Sequence, residues 1–80
     1  MAKGKPTHVD AYIGKQVRKR RLLVGMSQEY VGKALGVNNR QVGNYEHGRL
    51  KLTASALVII AALFGTRPET FFEGAPLDDV

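Results

Sequence analysis

Apolar residues recur at the spacing of an α-helix along most of the chain, and residues that favour helix starts or ends separate the apolar stretches. Five helices are predicted on this basis, at about 9–24, 27–35, 39–47, 54–64 and 67–72. The first is expected to begin near Val9 or Asp10. The sequence therefore predicts a compact five-helix, all-α domain over residues 9–73, between a disordered basic arm (1–8) and a disordered acidic tail (74–80).

The first predicted helix combines an apolar face with an exposed run of charge. Ile13, Val17 and Val24 share one face at helical spacing, and Arg21 falls on the flank of that face. The basic run at residues 18–20 points mostly outward. Such a run is either a solvated face or a set of phosphate contacts, and the sequence leaves both interpretations open.

The second and third helices are joined by a short turn that contains Gly36. Ser27 can cap the second helix with its hydroxyl, and the apolar positions of this helix are Val31, Ala34 and Leu35. Two short helices joined by a glycine-containing turn are typical of a helix-turn-helix.

The third helix has two chemically distinct faces. With a rotation of about 100° per residue, one face, called the reading face below, contains Asn39, Arg40, Gly43, Asn44 and His47. The opposite face contains Gln41, Val42, Tyr45 and Glu46. Asn can make paired hydrogen bonds with adenine and Arg with guanine, and a glycine between them lets the backbone approach closely. We therefore predict that Asn39, Arg40 and Asn44 read DNA bases.

The last two helices suggest a core element and a contact with a second copy of the chain. The fourth, Ala54 to Phe64, is apolar on nearly every face and is predicted to be a central core helix. Residues 66–69, Thr-Arg-Pro-Glu, have the spacing of a capping box and predict the fifth. Phe71 and Phe72 are adjacent and cannot both face the same core, so one is predicted to be available for a homodimer through the fourth and fifth helices. The alternative is that both lie under the C-terminal edge of the domain.

Composition and charge narrow the class of protein. Twelve Lys and Arg against seven Asp and Glu give a net charge of +5 and a pI near 9.9, which favours a polyanionic partner. The absence of cysteine excludes disulfides and thiolate zinc sites and is typical of a reducing cytoplasm. The longest apolar run, residues 56–64, is far shorter than the ~20 residues that span a bilayer, so no membrane association is expected.

No catalytic site, metal ion or cofactor is predicted. The two histidines, His8 and His47, are isolated from any nucleophile, acid pair or phosphate-binding glycine loop. We therefore expect a protein that is not an enzyme, and we interpret His47 as a polar residue near a helix end, where positive charge is tolerated.

The chain resembles the Cro/repressor family of helix-turn-helix regulators, also called the xenobiotic-response-element type. The resemblance extends from about Ile13 to Phe72. It rests on Arg21, residues 25–29 (Gly-Met-Ser-Gln-Glu), residues 34–37 (Ala-Leu-Gly-Val), Val42 and residues 45–48 (Tyr-Glu-His-Gly). Two positions differ: Gly32 stands where the family usually has Ala, and the Asn38-Asn39 pair stands where Ser or Thr usually begins the third helix. A glycine within a helix costs roughly 0.5–1 kcal/mol relative to Ala.

The resemblance implies a role for individual residues of this sequence. It pairs Arg21 with Glu46, so that the first helix fixes the angle of the third; with Val42 and Tyr45, these residues would support the reading face. It places Gln28 against a phosphate and often against the recognition helix, and it places the loop with Arg49 and Lys51 beside the sugar-phosphate backbone. The complete set of predicted DNA-backbone contacts is Ser27, Gln28, Asn38, Gln41, His47, Arg49 and Lys51.

Three functions remain compatible with the sequence. The leading hypothesis is a dimeric, sequence-specific regulator of transcription that binds double-stranded DNA, most simply a repressor. The second is the antitoxin of a toxin–antitoxin pair, which would bind its own operator with the same domain and a toxin with another surface. The third is a protein-interaction module that has lost DNA binding. A protein partner such as a toxin or RNA polymerase is unproven by the sequence.

Overall fold

The computed structural model describes residues 5–77, which form four α-helices and one turn of 3₁₀ helix. The helices are α1 (His8–Leu23), α2 (Gln28–Leu35), α3 (Asn39–Glu46) and α4 (Ala54–Phe64), and the 3₁₀ turn is Pro68–Phe71. Within the described residues there is no β-strand, so the all-α prediction is confirmed. The predicted count of five helices is wrong by one, because the fifth is only a 3₁₀ turn.

The start of α1 is set by a capping box that the sequence prediction did not use. The Thr7 hydroxyl oxygen accepts a hydrogen bond from the Asp10 N–H, and the Asp10 carboxylate accepts one from the Thr7 N–H at 2.8 Å. This reciprocal pair satisfies N–H groups that have no partner inside the helix. The helix therefore begins at His8, slightly before the predicted start at Val9 or Asp10.

The other helices begin and end where their capping residues predict. The side chains of Ser27, Asn38 and Thr53 each accept a hydrogen bond from the backbone N–H three residues later. Gly36 and Gly65 end α2 and α4 in the left-handed conformation, which glycine adopts without steric cost. Local chemistry thus fixes the bounds of these helices within about one residue of the prediction.

Each of the five elements contributes one large, fully buried side chain to the core. These residues are Val17, Val31, Val42, Ile60 and Phe71. Phe71 also packs edge-on against Phe64, with the ring centroids 6.2 Å apart and the planes at 69°. The short 3₁₀ turn is therefore part of the core and covers one end of it.

The inner face of α1 differs from the predicted face. Val24 is exposed, and the buried residues are Gly14, Val17 and Arg21. Gly14 lies so close to α3 that a Cβ atom there would be 2.1 Å from the Tyr45 carbonyl oxygen. The helix backbones approach so closely because position 14 has no side chain, and α1 is thereby held directly against the C-terminal half of α3.

A second close approach explains the glycine in α2. A Cβ atom at Gly32 would lie 2.6 Å from the Val37 carbonyl oxygen, and the Val37 N–H donates a hydrogen bond to the Gly32 carbonyl at 2.9 Å. This conformation of the turn therefore requires glycine at position 32. The close packing that glycine allows offsets its low helix propensity. Ala34, which the spacing predicts to be an inward position, is exposed.

The helix α4 is predicted to be a central core helix, and it does supply buried residues to the core, but it is covered on one side only. Its inner face contains Leu57, Ile60, Ala61 and Phe64. Val58 and Ile59 face solvent and are 55% and 42% exposed, because the other elements cover one side of α4 only. No helix in residues 5–77 is both long and apolar enough to cross a membrane.

The region of the predicted fifth helix lacks the predicted capping box. The Thr66 hydroxyl bonds the Thr70 hydroxyl at 2.8 Å, and Arg67 precedes the 3₁₀ turn without a side-chain capping bond. Phe71 is buried and Phe72 is 43% exposed, which confirms that only one of the two rings faces the core.

The predicted arm and tail are described only in part. Residues 1–4 and 78–80 lie outside the described residues, so the disorder predicted there stays a prediction. The Tyr12 hydroxyl donates a hydrogen bond to the Glu73 carbonyl at 2.7 Å, which holds the chain after the 3₁₀ turn against α1.

Candidate nucleic-acid interface

The reading face of α3 is open to solvent. Asn39, Arg40 and His47 are exposed, and Asn44 is partly buried. Asn44 is also the attachment point for the following loop, because its carbonyl accepts hydrogen bonds from the Arg49 N–H at 2.9 Å and the Leu50 N–H at 3.4 Å. The structure therefore brings all three predicted base-reading residues to one accessible surface.

Gly43 lies in the middle of this face. A Cβ atom at this position would make only an ordinary contact, 3.5 Å from the Gln28 Nε2 atom, so the protein's own packing does not demand glycine there. The consequence of glycine at position 43 is a shallow stretch of backbone between Arg40 and Asn44. A flat surface of this kind lets a partner approach the helix axis closely.

The opposite face anchors α3 to the body of the domain. Val42 and Glu46 are buried, and Tyr45 is partly buried. The Gln41 amide donates to the Tyr45 hydroxyl at 3.3 Å, one turn along the same helix. Gln41 therefore has a partner on the anchoring side of α3, and its predicted backbone contact stays a prediction.

A buried ion pair joins α1 to the C-terminal end of α3. Arg21 Nε lies 2.6 Å from Glu46 Oε2 and Arg21 Nη2 lies 3.1 Å from Glu46 Oε1, with side-chain exposures of 8% for Arg21 and 0% for Glu46. Arg21 Nη1 also donates to the Met26 carbonyl at 2.9 Å. The two-point geometry fixes direction as well as distance, so it sets the orientation of α3 relative to α1.

Gln28 completes this network from α2. Its Nε2 atom donates to Glu46 Oε1 at 3.1 Å, so one carboxylate receives hydrogen bonds from α1 and from the first residue of α2. No buried side-chain polar atom among residues 5–77 lacks a hydrogen-bond partner. The expected contact of Gln28 with α3 is therefore present, and its phosphate contact stays a prediction.

The remaining predicted backbone contacts surround the reading face. Ser27 and Asn38 are exposed at the starts of α2 and α3, where their side-chain oxygens act as caps. Arg49 is exposed in the loop after α3. Lys51 is partly buried, and its Nζ lies 4.0 Å from Asp10 Oδ2.

His47 is held at the end of the reading face. Its Nδ1 lies 2.8 Å from the Gly43 carbonyl oxygen, and because a carbonyl can only accept, Nδ1 is the donor. The imidazole therefore covers a helix-end carbonyl.

Sequence reasoning did not identify two residues that position this site. Gly14 allows α1 to pack on the Tyr45 backbone, and Asp10 lies beside Lys51 of the loop. The spacing of Thr7 and Asp10 signals a helix start, but nothing in the sequence indicates the contact between Asp10 and a residue 41 positions later. Both depend on how distant segments pack.

Comparison with known proteins agrees with this architecture. A family model described as helix-turn-helix matches residues 17–71. A protein of Sinorhizobium medicae named "Uncharacterized HTH-type transcriptional regulator" is 40% identical over 76 residues. That alignment covers 95% of this chain and 55% of the relative, so the chain spans about half the length of that relative.

Two solved structures share the fold. The P22 c2 repressor in complex with synthetic operator superposes with a TM-score of 0.69 at 22% identity, over 78% of this chain and 94% of the repressor chain. Hydroxypropylphosphonic acid epoxidase from S. wedmorenis, in complex with fosfomycin, gives a TM-score of 0.73 at 27% identity, over 88% of this chain and 39% of the enzyme chain. Because the fold occurs in proteins with such different names, it does not by itself assign a function.

The family, in contrast, is established by sequence. The family model matches residues 17–71, which is more than half of the chain. This chain therefore belongs to the Cro/repressor type of helix-turn-helix proteins.

Proposed function

We propose that this chain is a transcriptional regulator that binds double-stranded DNA with sequence specificity by inserting α3 into the major groove. The observation that carries the proposal is the reading face itself, where Asn39, Arg40 and Asn44 share one accessible surface. The only carboxylate of α3 belongs to Glu46, which is buried against Arg21, so α3 presents no acid to a polyanion. The family and the name of the Sinorhizobium relative support the same function.

The dimensions of α3 fit this role. Its eight residues span about 12 Å at 1.5 Å per residue, which is about the width of the major groove of B-DNA. Asn39 and Arg40 lie at the N-terminal end, the part of a recognition helix that contacts base edges in this class of motif. Phosphate contacts would come from the residues around the reading face: Ser27, Gln28, Asn38, Gln41, His47, Arg49 and Lys51.

The proposed mechanism is occupancy of an operator. A domain bound across promoter DNA excludes RNA polymerase, so repression is the simplest outcome. Such a protein acts where the chromosome lies, which in a bacterium is the cytoplasm. A protein-interaction module that had lost DNA binding would not need Asn39, Arg40 and Asn44 on one face, and that face could equally well contain acidic residues.

Selection of bound sequences from random duplexes tests the function directly. We expect one enriched motif, and an affinity for it whose logarithm falls linearly with log salt, with a slope of roughly −0.9 for each phosphate that the protein neutralises. Titrations monitored by fluorescence anisotropy at several salt concentrations measure this slope. Failure to enrich any motif, or an affinity that does not change with salt, would contradict the proposal.

The proposal includes a homodimer through α4 and the segment around the 3₁₀ turn. Val58 and Ile59 on α4 and Phe72 after the turn are large apolar side chains exposed to solvent. Exposed apolar groups of this size favour a protein interface, and a two-fold dimer buries the same patch on both copies. The operator should then be a near-palindrome with half-sites about one helical turn, ~34 Å, apart.

Sedimentation of the Ile59→Glu variant tests the dimer. We expect the wild-type chain to sediment as a dimer and the variant as a monomer, because a carboxylate in an apolar interface loses its hydration without gaining a partner. Leu23→Glu, which changes an exposed leucine on α1, is the matched control and should stay dimeric. A wild-type chain that is monomeric both free and on DNA, with an asymmetric site, excludes this interface.

A further inference from the structure

A cationic cleft lies between α1 and the C-terminal end of α3. It has a volume of about 340 Å³ and is lined by Ala11, Lys15, Arg18, Glu46 and His47. Ala11, Lys15 and Arg18 follow the i, i+4, i+7 spacing of one helix face, so the three side chains form one wall. His47 belongs to the reading face, and the cleft is therefore continuous with the surface proposed to enter the groove.

The position of this cleft is fixed by close backbone packing. Gly48, with φ of 74°, lies directly on α1, because a Cβ atom there would be 2.7 Å from the Ala11 Cα atom. The left-handed conformation and the missing side chain both favour glycine at this position. The end of α3 is thus held against the first half of α1. This packing fixes the distance between the end of α3 and the part of the α1 backbone that carries Lys15 and Arg18.

The charge of the cleft is not balanced within the described chain. Lys15 and Arg18 are exposed, and neither has an ion-pair partner among residues 5–77. The only acid of the cleft is Glu46, whose carboxylate is already bound by Arg21 and Gln28. The cleft therefore presents two cations and no available anion.

We propose that Lys15 and Arg18 bind the sugar-phosphate backbone of the DNA strand that borders the groove at the C-terminal end of α3. This inference rests on the proposed DNA binding and extends it to a surface of α1. The C-terminal end of a helix carries partial negative charge and repels phosphate. A backbone contact at this end of α3 therefore needs cations from outside the helix. The following loop offers Arg49 and Lys51, and the α1 wall of the cleft adds Lys15 and Arg18 beside His47.

The structure also separates the basic run of α1 into two groups. Arg18 lines the cleft beside His47, whereas Lys19 and Arg20 are exposed and do not line it. Lys15, Arg18 and Lys19 also line a second groove, with Leu22 and Leu23, that does not include His47. The phosphate contact is assigned to Lys15 and Arg18 because only these two cations of α1 line the cleft with His47, and Lys19 and Arg20 are assigned to a solvated surface. This division provides a matched control on the same helix, with the same loss of charge.

The test compares Lys15→Gln/Arg18→Gln with Lys19→Gln/Arg20→Gln on the duplex selected by the wild-type chain. The first pair should reduce the salt slope by about 0.9–1.8 per protomer, for one or two phosphates. Extrapolated from 1 M salt, this corresponds to a loss of affinity of about 8- to 60-fold at 0.1 M. The second pair should keep a slope close to wild type, and neither should change the preferred bases.

Replacement of single phosphates by neutral methylphosphonates then locates the contact. When the phosphate that Lys15 and Arg18 bind is neutralised, the affinity of the wild-type chain should fall. The affinity of Lys15→Gln/Arg18→Gln should not change, because this variant has already lost the contact. Equal losses for the two variant pairs, or no position that shows this coupling, would overturn the proposed site. If the wild-type chain bound no duplex specifically, the proposed function would itself be wrong, and the two failures are therefore distinct. Circular dichroism should show the wild-type melting curve for both variants, since all four side chains are exposed.

Discussion

Replacing Arg40 by alanine is expected to weaken binding to the selected duplex by about 1–3 kcal/mol and to relax the preference at one base pair. Arg40 is the longest side chain on the reading face, is exposed, and lies in the first turn of α3. Its guanidinium presents two parallel donors that fit the O6 and N7 atoms of guanine, which no other side chain of this face can match. Non-specific binding should change little.

The measurement uses a panel of single-base variants of the selected duplex. At one base pair, Arg40→Ala should bind the duplex with the preferred base and the three duplexes with other bases about equally well. At every other base pair, the ranking of the four duplexes by affinity should stay the same as for the wild-type chain. Arg49→Ala is the control, because Arg49 is an exposed arginine in the loop after α3 and should weaken all duplexes about equally. If Arg40→Ala behaved like Arg49→Ala, Arg40 would be a phosphate contact, and Asn39 or Asn44 would carry the specificity.

The bounds of the helices were predictable because they depend on neighbours in sequence. Ser27 and Thr53 cap the N–H three residues later, and Gly36 and Gly65 end their helices through their own backbone conformation. These interactions need no information about the rest of the fold. The wrong prediction at Thr66 also concerns a local interaction. The Thr66 hydroxyl bonds the Thr70 hydroxyl, so the predicted capping box with Glu69 does not form, and the segment makes one 3₁₀ turn.

The face that each helix buries was less predictable, because burial depends on what packs against it. Val24 is apolar and lies at a suitable spacing, yet it is exposed at the C-cap of α1, while the charged Arg21 is buried. Glu46 makes this burial possible by supplying a counter-charge from 25 residues away. In α4, Val58 and Ile59 are as apolar as Ile60, and only the tertiary arrangement leaves them uncovered.

The candidate site also has one part that local sequence predicts and one part that depends on tertiary packing. The reading face follows from the period of one helix, so Asn39, Arg40 and Asn44 could be grouped from sequence. The cleft could not be predicted from sequence. Lys15 and Arg18 line one cleft with His47 only because Gly14 and Gly48 let the backbones of α1 and the end of α3 approach each other. A glycine in sequence does not reveal which segment it lets approach.

Removing one partner of the buried ion pair between Arg21 and Glu46 should destabilise the domain strongly. Glu46→Leu removes the counter-charge of a guanidinium that is 8% exposed, and Arg21→Leu leaves a fully buried carboxylate without its cation. Breaking a buried pair by removing one partner costs about 3–5 kcal/mol, which is a large fraction of the 5–15 kcal/mol that holds a typical domain folded. The free energy of unfolding of each single variant, measured by urea denaturation, should therefore fall by about 3–5 kcal/mol.

The double variant Arg21→Leu/Glu46→Leu separates stability from orientation. Replacing both charges by apolar groups leaves no unpaired charge, so its free energy of unfolding should recover most of the loss seen in either single variant. Its affinity for the selected duplex should nevertheless stay reduced, because apolar side chains do not fix the angle of α3 as the two-point contact does. A double variant that binds as tightly as wild type would show that packing through Val42 and Gly14 suffices to orient the reading face. Single variants that each cost less than about 1 kcal/mol would show that the pair contributes no more than an exposed salt bridge.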